Sequence, residues 1–481
     1  SLLDLLNESK ADIKKGIDPQ LKQKQQELLQ KLTAKTQVQL KLSSPGDDKT
    51  TQFKTVIQEI NEINTQLQQL DAEIKRKNPR YADLKPAQTA KLTEIQKQLD
   101  KDTVLLSYWL GDKESYLWVI NSDSLTSYLL PKKTEIDKLA EDFYNLIGDK
   151  DNKNRPKTLA NKAIELTQII LKPAGDKLQN KRLIIVPDGQ LQTIPFNTLA
   201  SLNSTTPDNF KPLLFDHEII NLPSASTIGF IRQDITKRNT PPKTLAVFAD
   251  AVFSADDERV INSKSSQNQP KQNNQNLEKI KKSLGKRRGL SLERLPDTRT
   301  EAEKILSLVL NSKTKKFLDF EANLTNVNNT DLSQYKIIHF ATHGVLNGIN
   351  PELSGLLLSL VDKQGQTQNG LLMTPDIFNL DLPADLIVLS ACETAKGKKV
   401  KGEGIVGLTR GFMYAGTSRL MLSLWKVDDQ ATSELMSRFY EGMLKEKLTP
   451  AIALRKAQLS MWKEGKSPYY WSAFILQGEW R

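Results

Sequence analysis

The sequence predicts an α/β fold preceded by a helical hairpin. From Thr103 onward, short β-rich apolar runs alternate with helical stretches, and this alternation predicts a parallel or mixed sheet. Before Thr103 the chain is rich in Lys, Gln, Glu and Leu and nearly free of aromatic residues, which indicates helix. We therefore expect a helical part first and an α/β part after it.

Length and composition limit the class of protein. The chain has 481 residues, of which 38% are hydrophobic and 26% charged, as in an ordinary soluble protein of two or three folded units. No run approaches the roughly 20 consecutive apolar residues of a bilayer helix. The first residues, Ser1–Asp4, lack the basic-then-apolar layout of a signal peptide. We expect neither a membrane protein nor a secreted one.

The cysteine and histidine content argues against metal sites and disulfides. Cys392 is the only cysteine, and the histidines are His217, His339 and His343. Because a structural zinc site usually takes four Cys or His ligands and a disulfide takes two cysteines, we expect no metal, no cofactor and a reducing, cytoplasmic location.

The net charge of +11 collects partly between Lys264 and Arg288, where eight residues are basic and one is acidic. So mild an excess over a long chain favours solubility over a nucleic-acid face.

Residues 1–100 are predicted to form the helical hairpin, a connector arm. Between Phe53 and Ile74 the apolar residues recur at alternating spacings of three and four, which is a heptad seam. A looser leucine stripe runs from Leu21 to Leu40, and the segment Ser43–Asp48 predicts the turn. The hairpin either packs on the rest of the chain or docks a partner.

Residues 101–254 are predicted to begin with an antiparallel meander and to continue as alternating helix and strand. The predicted strands are 103–109, 115–120, 126–130, 183–186 and 244–248, and the predicted helices are 134–148, 157–172 and 224–236.

Residues 255–291 are predicted to be a disordered basic insertion, because a polar run such as Ser263–Asn276 cannot be buried without great cost. The segment Lys286–Gly289 within it is either a solvated loop or a site of self-cleavage.

The alternation resumes over residues 292–481. The predicted helices are 299–311, 404–415, 430–445 and 449–462, and the predicted strands are 336–341, 385–390 and 419–424. A last apolar run covers residues 471–476.

A thiol and an imidazole follow two of these strands. Cys392 ends the apolar run that begins at Asp385, and His343 ends the run that begins at Lys336. Ligand and catalytic groups gather at the carboxyl ends of strands in an open α/β sheet. The imidazole can take the thiol proton and return it to a leaving amine. His339, enclosed by apolar residues, is interpreted as a packed or hydrogen-bonded core residue, and His217 as structural.

Ordered motifs extend beyond this pair. They are His339–Gly344, Ser354–Ser359, Leu389–Thr394, Gly402–Gly404, Tyr414–Gly416 and Ser423–Asp429. Together they closely resemble the CHAT domain family of caspase-like and separase-like cysteine peptidases. The separation of Cys392 from His343 is 392 − 343 = 49 residues, close to the roughly 50 of caspases. The resemblance is strong over 292–481, and the region from Thr103 looks like the less distinctive first half of the same module.

The resemblance implies a caspase-like three-layer α/β/α sandwich, with residues 101–254 as a pseudo-caspase-like half and 292–481 as the catalytic half. It implies peptide-bond hydrolysis with Cys392 as nucleophile and His343 as general base and acid. The backbone N–H groups of Gly344 and Cys392 match the oxyanion donors of the family mechanism. Many members follow tetratricopeptide repeats, but no 34-residue repeat is found here.

The segment Trp425–Asp429 is similar to a strand end of separases, where an acid faces an arginine of the substrate. Asp429, with Asp428 in reserve, is the candidate floor of such a pocket. The two residues could instead cap the helix that follows.

Three functions stay open at this point. The first is a cytosolic cysteine endopeptidase that cuts a protein partner and is switched at its N-terminal helices. The second is a caspase-like scaffold that binds partners without significant protease activity, and the third, which rests only on charge, is a nucleic-acid-linked effector.

Overall fold

The computed structural model describes residues 90–150, 155–261, 293–345, 354–390, 403–425 and 427–481, together with single positions between 20 and 70. Most of the predicted insertion, Cys392 and Lys426 lie outside the described residues.

An 11-stranded mixed sheet forms the centre of the described part of the chain, with the strand order β3-β2-β1-β4-β5-β14-β13-β12-β8-β6-β7. A three-stranded sheet, in the order β11-β10-β9, lies beside it. The strands are β1 (Thr103–Leu110), β2 (Ser115–Ile120), β3 (Leu125–Leu130), β4 (Arg182–Val186), β5 (Ile219–Asn221), β6 (Lys243–Ala249), β7 (Thr314–Leu318), β8 (Tyr335–Ala341), β9 (Gly344–Val345), β10 (Gly355–Leu357), β11 (Leu371–Met373), β12 (Leu386–Leu389), β13 (Arg419–Ser423) and β14 (Phe474–Gly478).

The meander β1–β2–β3 is antiparallel, as predicted. From β4 to β7 neighbouring strands run parallel, except that β13 pairs antiparallel with β14. The prediction of a mixed sheet is therefore confirmed. Because β5 pairs with β14, one continuous sheet joins the two predicted halves, and the boundaries drawn between them stay predictions.

Helices connect the strands, as the right-handed crossovers of a parallel sheet require. From residue 92 onward the described helices are α1 (Leu92–Gln96), α2 (Lys133–Ile147), α3 (Pro156–Ile170), α4 (Gly175–Leu178), α5 (Thr227–Ile235), α6 (Pro296–Leu306), α7 (Leu324–Asn329), α8 (Thr374–Ile377), α9 (Glu403–Tyr414), α10 (Asp429–Leu444), α11 (Pro450–Lys463) and α12 (Pro468–Trp471).

The two faces of β8 show that the sheet is the middle of three layers. Successive side chains of a strand point to opposite faces. His339 contacts Tyr440 of α10 and Glu301 of α6, whereas Phe340 packs on Phe412 of α9. The predicted α/β/α sandwich is confirmed.

The central strands are part of the hydrophobic core because helices cover both of their faces. Such strands have continuous apolar sequences. β12, Leu-Ile-Val-Leu, is buried at all four positions, and five of the seven residues of β6 are buried. Phe248 stacks on both Phe317 and Phe340 at centroid separations of 4.4 and 5.0 Å, which ties β6 to β7 and β8.

Part of the predicted hairpin is described. Val56, Ile63 and Leu70, all members of the heptad seam, are buried and helical. The Nζ of Lys35 lies 2.7 Å from the Oε2 of Glu59. The hairpin as a whole stays a prediction, because the turn Ser43–Asp48 lies outside the described residues.

Candidate active site

The carboxyl ends of five neighbouring parallel strands meet at one edge of the sheet. They belong to β13, β12, β8, β6 and β7, in that spatial order. Ser390 follows β12, His343 lies two residues beyond β8, Asp250 follows β6 and Asp319 follows β7. This edge is where an open α/β sheet places its ligand groups.

His343 is held by contacts on its ring. The residue is only 2% exposed, and its ring lies against that of Phe253 with centroids 4.9 Å apart. Its Nε2 is 2.9 Å from the backbone carbonyl oxygen of Glu293. Because a carbonyl only accepts hydrogen bonds, Nε2 carries the proton and the lone pair of the neutral ring is on Nδ1. Nδ1 is therefore the atom of this side chain that can act as a base.

The backbone around His343 is fixed by the small sheet. The carbonyl oxygen of His343 accepts a hydrogen bond of 2.8 Å from the N–H of Leu357, and the hydroxyl of Thr342 donates to the carbonyl of Leu357. Gly344, the candidate oxyanion donor, is buried in β9 and pairs with Leu356 of β10. The chain thus leaves β8 in a defined direction at the histidine.

A buried polar cluster lies beneath this edge. The Ser390 hydroxyl donates to Oε1 of Glu301 at 2.7 Å, and the His339 Nε2 lies 3.0 Å from the same oxygen. Nε2 of His339 makes no hydrogen bond among the described residues. Nδ1 of His339 is 2.9 Å from the Tyr440 hydroxyl. Burial, and then the charge of Glu301, raise the pKa of Tyr440 well above its ordinary value.

The contacts of His339 and His217 indicate that both residues have structural roles. His339 is fully buried and hydrogen-bonded, so the prediction of a core residue is confirmed. His217 is buried, and its Nδ1 lies 2.8 Å from the Lys181 carbonyl. Burial lowers the pKa of His217, and its position next to β5 is that of a structural residue.

Sequence reasoning missed an ionic cluster at the same edge. Asp250, whose side chain is 0% exposed, lies within 3.1 Å of the guanidinium groups of Arg259, Arg294 and Arg299. Arg259 and Arg299 also bind Asp319. A cavity of about 650 Å³ is lined by the three arginines and Asp319, among others. These pairings leave no local signal in the sequence, because the partners lie far apart along the chain.

Asp428 and Asp429 lie beyond the end of β13, on the same edge. Asp428 is the N-cap of α10, accepting from the Ala431 N–H at 3.4 Å, and it pairs with Lys150 at 3.4 Å. Asp429 begins α10. Burial raises the pKa of Tyr469 to about 12, and the negative charges of Asp428, Asp149 and Asp429 contribute to this rise. The capping interpretation is confirmed for Asp428, and this part of the edge is acidic.

Cys392, the predicted nucleophile, lies outside the described residues, as does the segment Lys286–Gly289. Among the residues that are described, no group of three or more His, Cys, Asp or Glu side chains is arranged to hold a metal ion. The described helices are also too short or too polar to cross a membrane.

Comparisons with known proteins give one broad match and several partial ones. The sequence profile of the CHAT domain matches residues 160–479. Tetratricopeptide repeat protein 28 of Homo sapiens is 31% identical over 112 residues, and that of Mus musculus is 33% identical over 111 residues. These matches cover 23% and 22% of this chain but 4% of each relative.

Solved structures of the Saccharomyces cerevisiae separase–securin complex are also similar to this chain, at 10% identity. The structure at 3.0 Å covers 80% of this chain and 30% of that chain with a TM-score of 0.44. The structure at 2.6 Å covers 96% and 27% with a TM-score of 0.35.

Proposed function

Because the chain belongs to the CHAT domain family, we propose that it is a cysteine endopeptidase with Cys392 as nucleophile and His343 as its base. The observation that carries the proposal is a register. β8 and β12 are adjacent parallel strands that pair Leu389 with Phe340, a difference of 49 in residue number. The same difference separates Cys392 from His343. Each of the two residues therefore follows its paired position, Leu389 or Phe340, by the same number of residues.

The geometry of His343 suits the base. Nδ1 would accept the proton of the Cys392 thiol, and the thiolate would attack the peptide carbonyl carbon, forming a C–S bond. The C–N bond then breaks as the imidazolium returns the proton to the leaving amine, and water hydrolyses the thioester. The backbone N–H groups of Gly344 and Cys392 are the proposed donors to the oxyanion.

For specificity, we propose that Asp429, with Asp428 in reserve, receives a basic side chain on the acyl side of the cut bond. The support is their position beyond β13, whose carboxyl end is two strands from that of β8. Adjacent strands lie about 4.8 Å apart, so a substrate extending from His343 could reach them. A carboxylate pairs with guanidinium through two hydrogen bonds.

The remaining parts of the proposal concern context. The substrate is a protein, the activity is controlled through the N-terminal helical region, and the location is cytoplasmic. These rest on the composition of residues 1–100, the family and the single cysteine.

A second candidate is a partner-binding scaffold without significant protease activity, and the meander favours it. Trp109, Leu125 and Leu129 are 50%, 47% and 64% exposed. In the register of β1–β3, Trp109 and Leu129 flank Tyr116 on one face. Large apolar side chains grouped on an exposed face are typical of a protein-binding surface.

The deciding experiment compares wild type with Cys392→Ala and His343→Ala on a peptide library and by mass spectrometry of new protein N-termini in host cells. Loss of cleavage by several orders of magnitude in both variants is expected. His217→Ala, matched for burial, should keep its activity. Equal product formation by wild type and Cys392→Ala would refute the peptidase, whereas an inactive wild type that captures a partner would favour the scaffold.

A further inference from the structure

Two consecutive residues connect His343 to the ionic cluster. The carbonyl of Glu293 accepts the hydrogen bond from the His343 Nε2 at 2.9 Å. The next residue, Arg294, binds Asp250 through two parallel hydrogen bonds, Nε to Oδ1 at 3.0 Å and Nη2 to Oδ2 at 3.1 Å. The position of that carbonyl is therefore tied to the side chain of Asp250.

Asp250 is a rigid attachment point. Its side chain is 0% exposed, it directly follows the buried strand β6, and its N–H donates to the Thr298 hydroxyl at 3.0 Å. Its φ of 50° is in the left-handed region, which is uncommon outside glycine and costs free energy unless the surroundings hold it. The hydrogen bond to Thr298 and the contacts of Arg259 and Arg294 supply that hold, and they remain when Arg299 is replaced.

We propose that Arg294 is a positioning residue, which holds the Glu293 carbonyl against His343 through its paired hydrogen bonds to Asp250. The catalytic consequence rests on the proposed function, but the structural statement does not. With the carbonyl in place, the His343 ring has one orientation and its proton is kept on Nε2. Without it, the ring can rotate, and Nδ1 is no longer presented as the base in a fixed direction.

Holding the Glu293 carbonyl in one position requires the two parallel hydrogen bonds between Arg294 and Asp250. A guanidinium fixes two donor directions at once, whereas a lysine ammonium is a point charge on a flexible chain. Arg294→Lys therefore keeps the charge opposite Asp250 but loses the orientation of the backbone at Glu293.

Arg299 offers a matched control. Its side chain is 32% exposed against 31% for Arg294, and its Nε lies 2.9 Å from the Asp250 carboxylate. Arg299 lies within α6 and is not adjacent in the chain to Glu293, whose carbonyl contacts His343. Arg299→Gln should thus weaken the cluster as much as Arg294→Gln does, while leaving the Glu293 carbonyl in place.

The first test is an NMR measurement on protein with ¹⁵N-labelled histidine in the Cys392→Ala background, so that it needs no activity. The Nε2–H signal of His343, assigned by its loss in His343→Ala, should be observable in the parent. It should broaden through exchange with water in Arg294→Gln and Arg294→Lys and persist in Arg299→Gln. An unchanged signal in Arg294→Gln, or equal loss in Arg299→Gln, would overturn the proposal.

The second test is kinetic. In Arg294→Gln and Arg294→Lys, kcat should fall by about 10–100-fold, by analogy with the loss of a partner that orients a metal-ligating histidine, with KM within about twofold. Arg299→Gln should keep kcat within about threefold at a similar loss of Tm. A kcat loss that tracks Tm across all three variants would contradict a positioning role. If the parent enzyme is inactive, the proposed function fails, and the NMR result alone decides the role of Arg294.

Discussion

His339 and His343 lie four residues apart at the end of one strand, yet their surroundings suit different tasks. His339 is enclosed by Tyr440 and Glu301 and is 0% exposed. His343 contacts a backbone carbonyl at the sheet edge, through one ring nitrogen. The difference arises because β8 ends at Ala341, between the two histidines. His339 therefore lies inside the sheet, whereas His343 lies at the edge formed by the carboxyl ends of the strands.

Substitution should distinguish the roles of Asp428, the N-cap of α10, and Asp429, its first residue. Asp429→Asn should lower kcat/KM about tenfold or more for peptides with Arg on the acyl side, because the charged hydrogen-bond pair is lost, and leave Met peptides unaffected. The measurement is a profile of both variants on peptides with Arg, Asp or Met at that position.

Asp428→Ala is the control for that profile. It removes the N-cap of α10 and should lower stability by about 1 kcal/mol while keeping the preference for Arg. A preference that follows Asp428 would transfer the role to the reserve residue, and indifference of both variants to substrate charge would remove the pocket.

Among the elements, those with a strong period were predicted and those without one were missed. β1 to β3, α2, α3 and β12 lie within one or two residues of their predicted bounds. β7, Thr-Lys-Lys-Phe-Leu, has two exposed lysines and no apolar run. β5, β9, β10 and β11 have only two or three residues each, which is too short to show alternation.

Some features of the candidate site could likewise be predicted from the sequence and others could not. The apolar runs that end in His343 and Cys392 can be recognised in the sequence, because position along an apolar run is a local property. The contact between Arg294 and Asp250 joins residues 44 positions apart, and the acceptor for His343 is a backbone carbonyl that any residue could supply. No local pattern encodes either.

The small sheet beside His343 can be tested through Gly355. A Cβ at this position would overlap the carbonyl oxygen of Leu372 in the neighbouring strand β11. Gly355→Ala should therefore displace β10, which holds the backbone at His343 and Gly344. We expect a lower Tm and a loss of kcat, measured by calorimetry and peptide hydrolysis.

Gly229→Ala is the matched control, because a Cβ there meets nothing within 4 Å in α5. Alanine in a helix is favoured over glycine by about 1 kcal/mol, so this variant should be unchanged or slightly more stable. Equal behaviour of the two variants would show that the close approach at Gly355 does not constrain the site.

At the scale of the whole molecule, an ion pair connects the end of β14, near the middle of the sheet, to helix α5. Glu479 follows β14, is 4% exposed at its side chain, and binds Arg232 of α5 at 2.6 Å. Burial alone raises the pKa of Glu479. Hydrogen bonds from Arg232 and from the N–H groups of Arg481 and Trp480 outweigh burial, so the pKa lies below its ordinary value of 4.5.

This lowered pKa predicts a pH dependence. The unfolded chain binds the proton more readily, so the stabilisation is complete above pH 4.5 and is lost as the pH falls through the folded pKa. Glu479→Gln should give a shallower fall in the free energy of unfolding over this range, measured by urea titration. Parallel curves for the two proteins would contradict the prediction.

The central place of β14 has a consequence for synthesis on the ribosome. β14 lies between β13 and β5, but it is translated after both, with α10, α11 and α12 intervening. At about 5–20 residues per second, the nascent chain spends several seconds with two unpaired strand edges facing each other across a gap. Folding of the sheet therefore cannot finish co-translationally until Gly478 has left the exit tunnel, and a ribosome that stalls before that point holds a chain exposed to aggregation.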